Sequence, residues 1–485
     1  MRRAVLADGL MRARPGAVGV DARRVEAFLD AVDAAGLNLH SFVLHRREHV
    51  AVEIYWWPFR ADRPRVMHSV AKSFTACAIG LALEEGRFAL TDKVVSFFPD
   101  QLPPVVNDKL AAMTVEDLLT MRTGHGEETS GSRWRGLHTS WIEAFFKIPV
   151  VHQPGTVYVY TSAASYVLSA ILTKTTGQTL HDYLRPRLFA PLGVVGETWD
   201  SGPDGINPGG NGLSCGTIDI LKLGVLHAQQ GVWNGRRILS EAWVNDATRA
   251  HSASGYGYHW WVGPNRTYAA MGVFGQVVVV FPDQGATLAI TAGINGNSAC
   301  LERLLPVVNE HFPGVFHDDT CHDVEAETNL ERRAARAAAM VPMVSPAEAA
   351  AENSGELLYR VDKNPLGVTR LRLELARDVC ILHLTDGAGE HSIRVGLGRW
   401  IEGETDMPGR DLHHGYDLQP ARVVAGARWL DPNTLEMSWI FAETAFRDTV
   451  VCRFAGERIR VARGVNVNSG ALSHPELSGV RIQTG

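Results

Sequence analysis

Residues 69–85 read as one helix that is apolar or small on nearly every face, with Ala71, Phe74, Thr75, Ala78, Ile79, Leu81 and Ala82 distributed all round it. A helix at a domain surface keeps a polar stripe toward water, so one without a stripe must be surrounded by other elements. This requirement organises the reading of the flanking chain. Upstream, residues 19–36 predict a helix that Asp21 caps and Gly36 stops. Two strand-like stretches follow, Ser41–His45 and His49–Tyr55, with Arg46-Arg47-Glu48 as the turn between them. From about 110 to 250 helices and loops dominate, broken at Gly124, Pro154-Gly155, Gly177 and the glycine-rich stretch Gly202–Gly216. Residues 256–262, 267–281 and 287–292 then read as consecutive strands. Strands, a helical body and more strands predict an α/β sheet closed from both ends of the domain, with an all-helical insert.

The chain has 485 residues, too many for one ordinary domain, and its texture changes twice. Residues 317–352 are rich in Ala, Glu, Asp and Arg, with a short helix expected at Glu331–Met340. From about 354 onward, short alternating stretches separated by turn residues recur, among them Thr369–Leu375, Val379–Leu384, Thr434–Phe441 and Arg458–Arg463. The expected organisation is a catalytic domain over 1–318, a linker over 319–353, and an antiparallel β domain over 354–485. The last is either a barrel, such as a lipocalin-like one, or a sandwich.

A formal net charge of −6 spread over this length gives no broad attraction to nucleic acid or to an anionic membrane. No stretch reaches the ~18 apolar residues of a membrane span. Asp8 interrupts the apolar run after Met1-Arg2-Arg3, so a secretory leader is not expected and a cytoplasmic location is. The six cysteines, at 77, 215, 300, 321, 380 and 452, lack metal-ligand spacing and read as free thiols.

Ser69-x-x-Lys72 opens the apolar helix. Positions i and i+3 share a helix face, which brings a hydroxyl and an amine within hydrogen-bonding reach. The helix N-terminus offers backbone N–H groups to a developing oxyanion. A lysine among apolar residues is poorly hydrated, which lowers its pKa and makes it available as a base. Alone, Ser-x-x-Lys is a frequent chance pattern.

Its surroundings are not. The run His68-Ser-Val-Ala-Lys-Ser-Phe-Thr75, followed by Ala82-Leu-Glu-Glu-Gly-Arg-Phe-Ala-Leu-Thr-Asp-Lys-Val94, resembles the active-site helix of the β-lactamase-like serine hydrolases. These include class C β-lactamases, penicillin-binding proteins, D-Ala-D-Ala carboxypeptidases, esterases and 6-aminohexanoate-dimer hydrolase. The resemblance continues through Met113–Gly124, Gln153–Ser162 and Phe189–Gly193, covering roughly 20–315. It implies a β-lactamase/transpeptidase-like fold, an antiparallel sheet flanked by helices plus an all-helical subdomain. It also implies Ser69 as nucleophile and Lys72 as general base.

The family's Tyr-x-Asn motif falls on Tyr160-Thr-Ser162, which makes Tyr160 the proton relay; Ser162 replaces the usual Asn, shortening the group that would bind a substrate amide. The Lys-Thr-Gly or His-x-Gly motif falls on Ala270-Met-Gly272, followed by Val273-Phe-Gly-Gln276. No basic or hydroxyl side chain stands there. The N–H of Val273 is expected to complete the oxyanion hole with that of Ser69, with Gly272 letting the chain pass close and Gln276 expected among the oxyanion- and substrate-binding residues. Ser162 argues against strict β-lactam or peptide recognition, and the missing cation points away from a β-lactamase and toward an esterase, amidase or acyltransferase; the expected partner is a small-molecule ester, amide or peptide substrate. A transacylase or peptide cyclase using the same acyl-enzyme is the alternative, and a non-catalytic binding protein with this fold is a third reading. No cofactor or metal is expected, and no nucleic-acid or membrane partner; oligomeric state is not legible.

Other features carry less. Tyr55-Trp56-Trp57 and Tyr256–Trp261 suit either an acyl pocket or core packing. His125, Glu127 and Glu128 read as loop residues near the site. His413-His414 lacks the further ligands that a metal ion needs. Asn466 and Asn468 read as turn residues.

Overall fold

The computed structural model describes residues 8–130, 134–345 and 355–482, so residues 1–7, 131–133 and 483–485 and all of 346–353 in the expected linker lie outside the described residues. It divides into two units, Met1–Ala292 with Ser298–Ala338, and Gly293–Asn297 with Ala339–Gly485.

The first unit is built on a seven-stranded sheet. Its strands are β1 (Met11–Arg12), β2 (Leu39–Arg46), β3 (His49–Tyr55), β4 (Trp261–Val262), β5 (Tyr268–Gly272), β6 (Gln276–Phe281) and β7 (Ala286–Ala292). They are ordered β1-β3-β2-β7-β6-β5-β4. The N-terminal hairpin therefore joins the later strands through β2 and β7, which pair antiparallel with Leu44 opposite Leu288. This is the closure from both ends that the order of elements predicts. Every residue of β5, β6 and β7 is buried, which suits their continuous apolar runs and explains why alternation is weak there.

Helix α1 (Ala22–Ala34) begins at Asp21, whose carboxylate accepts from the Arg24 N–H, and turns Val25, Phe28, Leu29 and Val32 inward. Helix α2 (Ala71–Glu84) is surrounded as its composition requires, with Ala71–Gly80 and Ala82 all buried. It packs against α3 (Ser162–Thr176) in the helical subdomain and touches β5 of the sheet. Burying side chains such as Phe74 and Ile79 contributes about 1.5–3 kcal/mol each, and this places the start of α2 between the unit's two layers. Helix α4 (Thr217–Ala228) covers β6 and β7. At Gly224 an added Cβ would lie 2.5 Å from Val278 Cγ1 and 2.6 Å from Thr287 Cγ2, so glycine sets how closely this helix approaches the sheet.

Two expectations need correction. Residues 256–262 form a strand only at Trp261–Val262; before it the chain turns back on itself, with His259 at φ 60°, because its aromatic side chains pack on several sides instead of alternating across a sheet. Within the expected linker, α5 (Val324–Ala337) is a 14-residue helix that packs on α1 and β3 and belongs to the first unit. It buries Ala326, Glu327 and Leu330 while the rest of its surface stays polar, a narrow stripe that gave it the texture of a linker.

The second unit is a ten-stranded antiparallel sheet. Its strands are β8 (Gly355–Val361), β9 (Arg370–Leu375), β10 (Val379–Thr385), β11 (Glu390–Leu397), β12 (Trp400–Thr405), β13 (Ala421–Asp431), β14 (Thr434–Ile440), β15 (Arg447–Ala455), β16 (Arg458–Val465) and β17 (Leu477–Arg481). Their order is β11-β10-β9-β8-β17-β16-β15-β14-β13-β12, and a parallel pairing of Gly396 with Gly426 and Leu397 with Ala427 joins β11 to β13 and closes a barrel. Thr405 Oγ1, donating to the Ser392 carbonyl at 2.7 Å, and Asp406, accepting from the Ser392 N–H at 2.8 Å, tie β11 to the end of β12. Of the two architectures left open, the barrel is the one adopted.

All six cysteines are free, five buried and Cys321 half-buried. Among the described residues no helix is long and apolar enough to cross a membrane. Gly224→Ala is expected to destabilise the chain by about 1–3 kcal/mol through overpacking, against the ~1 kcal/mol that alanine gains in a helix. Denaturant unfolding followed by circular dichroism reads the sign.

Candidate active site

The chain enters α2 through a tight turn. Met67 N–H donates to the Leu213 carbonyl at 2.9 Å, and His68 takes φ 49°, a left-handed conformation that a non-glycine residue adopts at some cost. A single 3-10 turn over His68–Val70 follows and delivers Ser69 half-exposed at the helix start, with Lys72 one turn further in and 1% exposed.

Lys72 Nζ donates to three acceptors, each at 2.9 Å: Ser69 Oγ, Ser162 Oγ and the Gly210 carbonyl. Burial disfavours the ammonium and lowers its pKa from the ordinary lysine value to about 7, an effect opposed by Glu128 and reinforced by Arg135. The three acceptors are two hydroxyls and a carbonyl, so no carboxylate touches the amine to hold its proton.

Tyr160 is positioned by two stretches of chain, Met113–Gly124 and Gln153–Ser162. Thr114 and Asp117 form a capping box that starts the helix Val115–Leu119. The chain beyond it anchors the second stretch: Val159 N–H donates to the Met121 carbonyl at 2.9 Å, and Arg122 Nη1 donates to the Gly155 carbonyl at 2.9 Å. Thr161 then caps α3, placing Ser162 as its first residue and Tyr160 just outside it. Tyr160 is hydrogen-bonded to Ser69, and Lys72 Nζ lies 4.8 Å from its ring centroid. Burial pushes the phenol well above its ordinary pKa, an effect only partly offset by the Ser69 hydrogen bond, so it stays protonated.

On the other side of Ser69, β5 ends at Gly272. An added Cβ there would meet the Met67 carbonyl at 2.5 Å and Ser69 N at 3.1 Å, so glycine lets this strand end lie against the backbone of Ser69. The hairpin Val273-Phe274-Gly275 follows, with Phe274 at φ 68° and its ring edge-on to His68, and the strand resumes at Gln276. Gln276 is fully buried. Its amide nitrogen donates to the carbonyls of Ala292 at 3.0 Å and Val273 at 3.4 Å, so it braces the hairpin that carries Val273. Ala270 and Met271, which stand where the family motif places a cation or hydroxyl, are buried in the core.

The aromatic clusters separate. Trp261 stacks on Tyr160 at 5.7 Å and Tyr256 meets both rings edge-on, so the second cluster walls the site, with Trp261 half-exposed. Tyr55 lies on β3, toward the opposite flank of the sheet, and donates to Glu53. His125 is buried against Phe145 and bonded to Thr123, its pKa lowered by burial to about 4, a packing role. Glu127 and Glu128 are exposed, but Glu128 acts on Lys72 electrostatically. In the second unit His413 pairs with Asp448 at 2.9 Å and His414 with Ser469 at 2.5 Å, so the two imidazoles point to different partners. Asn466 caps the Arg447 N–H and Asn468 bridges loop backbone, both turn roles. Among the described residues no cluster of His, Cys, Asp and Glu is arranged to hold a metal ion.

Three neighbours escaped the sequence reading. Gly210 supplies Lys72's third acceptor, and a Cβ there would meet Lys72 Nζ at 3.3 Å; the glycine-rich stretch was visible, its destination was not. Cys300 Sγ donates to the Gly272 carbonyl at 3.1 Å from the far side of the strand end. His259 ties α2 to α3, its carbonyl accepting from Ser73 Oγ at 2.7 Å and its Nε2 bonded to Ser165 at 3.0 Å. No spacing rule links either to Ser69.

The Beta-lactamase family model matches residues 26–306. The chain is 23% identical to the 6-aminohexanoate-dimer hydrolase of Paenarthrobacter ureafaciens over 49% of its own length and 68% of the relative's. It is 28% identical to Penicillin-binding protein 4 of Amycolatopsis lactamdurans over 44% of its own length and 61% of the relative's. Among solved structures it resembles EstCE1, described as a hydrolase with promiscuous acyltransferase activity, at 16% identity and TM-score 0.50, over 60% of this chain and 97% of that one. That likeness is one of fold. With a family match over more than half its length and the fold of that family's serine hydrolases, the chain belongs to the Beta-lactamase family.

Proposed function

We propose that this chain hydrolyses a neutral ester or amide through an acyl–Ser69 intermediate. The observation that carries the reading is the contact of Lys72 Nζ with Ser69 Oγ at 2.9 Å inside a buried site that brings the amine's pKa to about 7. At neutral pH a substantial fraction of Lys72 is unprotonated and can accept the Ser69 proton as Oγ bonds to the acyl carbon.

The electron pair displaced onto the carbonyl oxygen is received by the N–H groups of Ser69 and Val273, which Gly272 allows to approach. Tyr160, neutral and hydrogen-bonded to Ser69, hands its proton to the leaving oxygen or nitrogen as it takes one from Lys72. That restores both groups and leaves the acyl ester. Water then repeats the sequence in reverse roles. Ser162, whose Oγ accepts from Lys72 and which is half-exposed, is the short substitute for an amide at the substrate's edge. The buried Ala270 and Met271 provide no cation for a substrate carboxylate, which favours an uncharged acyl group beside Trp261.

The first expected outcome concerns turnover. Ser69→Ala and Lys72→Ala should each lower kcat/KM for p-nitrophenyl acetate by at least ~10³-fold with unchanged circular dichroism; retained activity in Ser69→Ala would overturn the reading. In the native chain kcat/KM should rise with pH and reach half its plateau near pH 7, because Lys72 is a base only when unprotonated.

The second concerns stability. The folded-state pKa of Lys72 lies below its unfolded value, so between about pH 7 and the ordinary lysine range the unfolded chain binds the extra proton and stability falls as pH falls. Lys72→Met should therefore raise stability at pH 7 by about 1–3 kcal/mol while abolishing activity. The gain is reduced by the unmet Gly210 carbonyl. Thermal unfolding of the two proteins at pH 7 and pH 10 measures it, with the difference smaller at pH 10.

A further inference from the structure

The barrel of the second unit is not filled along its whole length. Toward one end, inward side chains close-pack, with Leu373, Cys380, Leu435, Cys452 and Ile459 at or near zero exposure. Toward the other, a cavity of about 300 Å³ opens among Leu371, Leu382, Leu384, Val450, Val461 and Leu477. That volume corresponds to about ten water molecules at ~30 Å³ each, and it lies at the small end of ordinary ligand sites.

The polar groups in the wall set what it can hold. Trp439 is 1% exposed, and its indole nitrogen, a donor only, has no hydrogen-bond partner among the described residues; His474 Nε2, also in the wall, is buried in the same condition. A buried donor without an acceptor costs about 1–3 kcal/mol. Arg463 borders the cavity too, but its charge is already met. Its guanidinium contacts Asp448 at 2.6 Å and 2.8 Å, donates to the Pro408 carbonyl, and lies over the Trp439 ring. Asp448 in turn bonds His413, so the charges below the cavity form a closed set. At the rim, Arg410 stands with Asp386 and Asp411, so cationic and anionic groups are both present there. The wall thus favours neither an anion nor a cation, while holding an unused donor.

We infer that the barrel cavity is a second binding site, distinct from Ser69, for a small uncharged apolar molecule bearing a carbonyl or ether oxygen that accepts from the Trp439 indole N–H.

The test uses two probes of equal size on the full chain, acetophenone and α-methylstyrene, which differ only in C=O against C=CH₂. Binding is followed by ligand-observed NMR titration. Acetophenone should bind saturably and about fivefold more tightly than α-methylstyrene, a ratio suited to one net hydrogen bond. Trp439→Phe should erase that ratio while leaving α-methylstyrene affinity in place. Val450→Trp fills the cavity and should remove saturable binding of both probes, with p-nitrophenyl acetate turnover unchanged. Leu384→Trp, at a half-buried position, serves the same purpose should Val450→Trp not fold. Absence of saturable binding by either probe overturns the inference, as does binding that survives both filling variants. Equal affinity for the two probes in the native chain overturns the role of Trp439.

Discussion

The first unit depends on keeping an amine out of water. Lys72 is tolerated at 1% exposure because α2 is packed on all sides and because three neutral acceptors receive its hydrogens. Each of those acceptors comes from a different part of the chain: the turn before α2, the start of α3, and the glycine-rich loop at 210. Sheet, helical subdomain and loop must all be in place before the amine is both buried and bonded. A carboxylate among the acceptors would have held the ammonium charged; hydroxyls and a carbonyl do not. The unusual chemistry of the lysine is thus a property of the assembled layers more than of the Ser-x-x-Lys spacing.

Around that centre, small residues govern approach. Gly272 lets a strand end touch the backbone of Ser69, and Gly210 lets a loop carbonyl reach Lys72. Gln276 and Cys300 hold the strand end from behind through the carbonyls of Val273 and Gly272. The proposed oxyanion hole is therefore stiffened by residues that do not themselves face substrate, which is what electrostatic preorganisation asks of a scaffold.

Much of this was legible in the chain because it is local. The i, i+3 placement of Ser69 and Lys72, the Asp21 cap, and the apolar runs of β6 and β7 are short-range patterns whose physics acts within a turn or a strand. What escaped notice is long-range or hidden by composition. Gly210 lies 138 residues from Lys72, and nothing in its own neighbourhood marks a carbonyl as special. Helix α5 has the texture of a linker because its buried stripe is narrow and its other faces are charged. The aromatic run 256–262 looked like a strand because aromatic residues favour strands, yet its rings pack on one another and on Tyr160, which bends the chain. Strands β8, β12, β13 and β17 were passed over because parts of them are polar or exposed at both faces, and barrel closure, a property of the whole sheet, gives them partners.

The closing seam of that barrel has a mechanical meaning. Elsewhere neighbouring strands are zipped by ladders several residues long, but β11 reaches β13 through two residue pairs and the Gly398 N–H bond to the Ala427 carbonyl. A cylinder opens where it is sewn most thinly, and thermal breathing of the wall concentrates at such a line. Amides bonded across that line, such as the Gly398 N–H on the Ala427 carbonyl, would then exchange with solvent ahead of those in the long β15–β16 ladder, giving the barrel a hinge line instead of uniform rigidity.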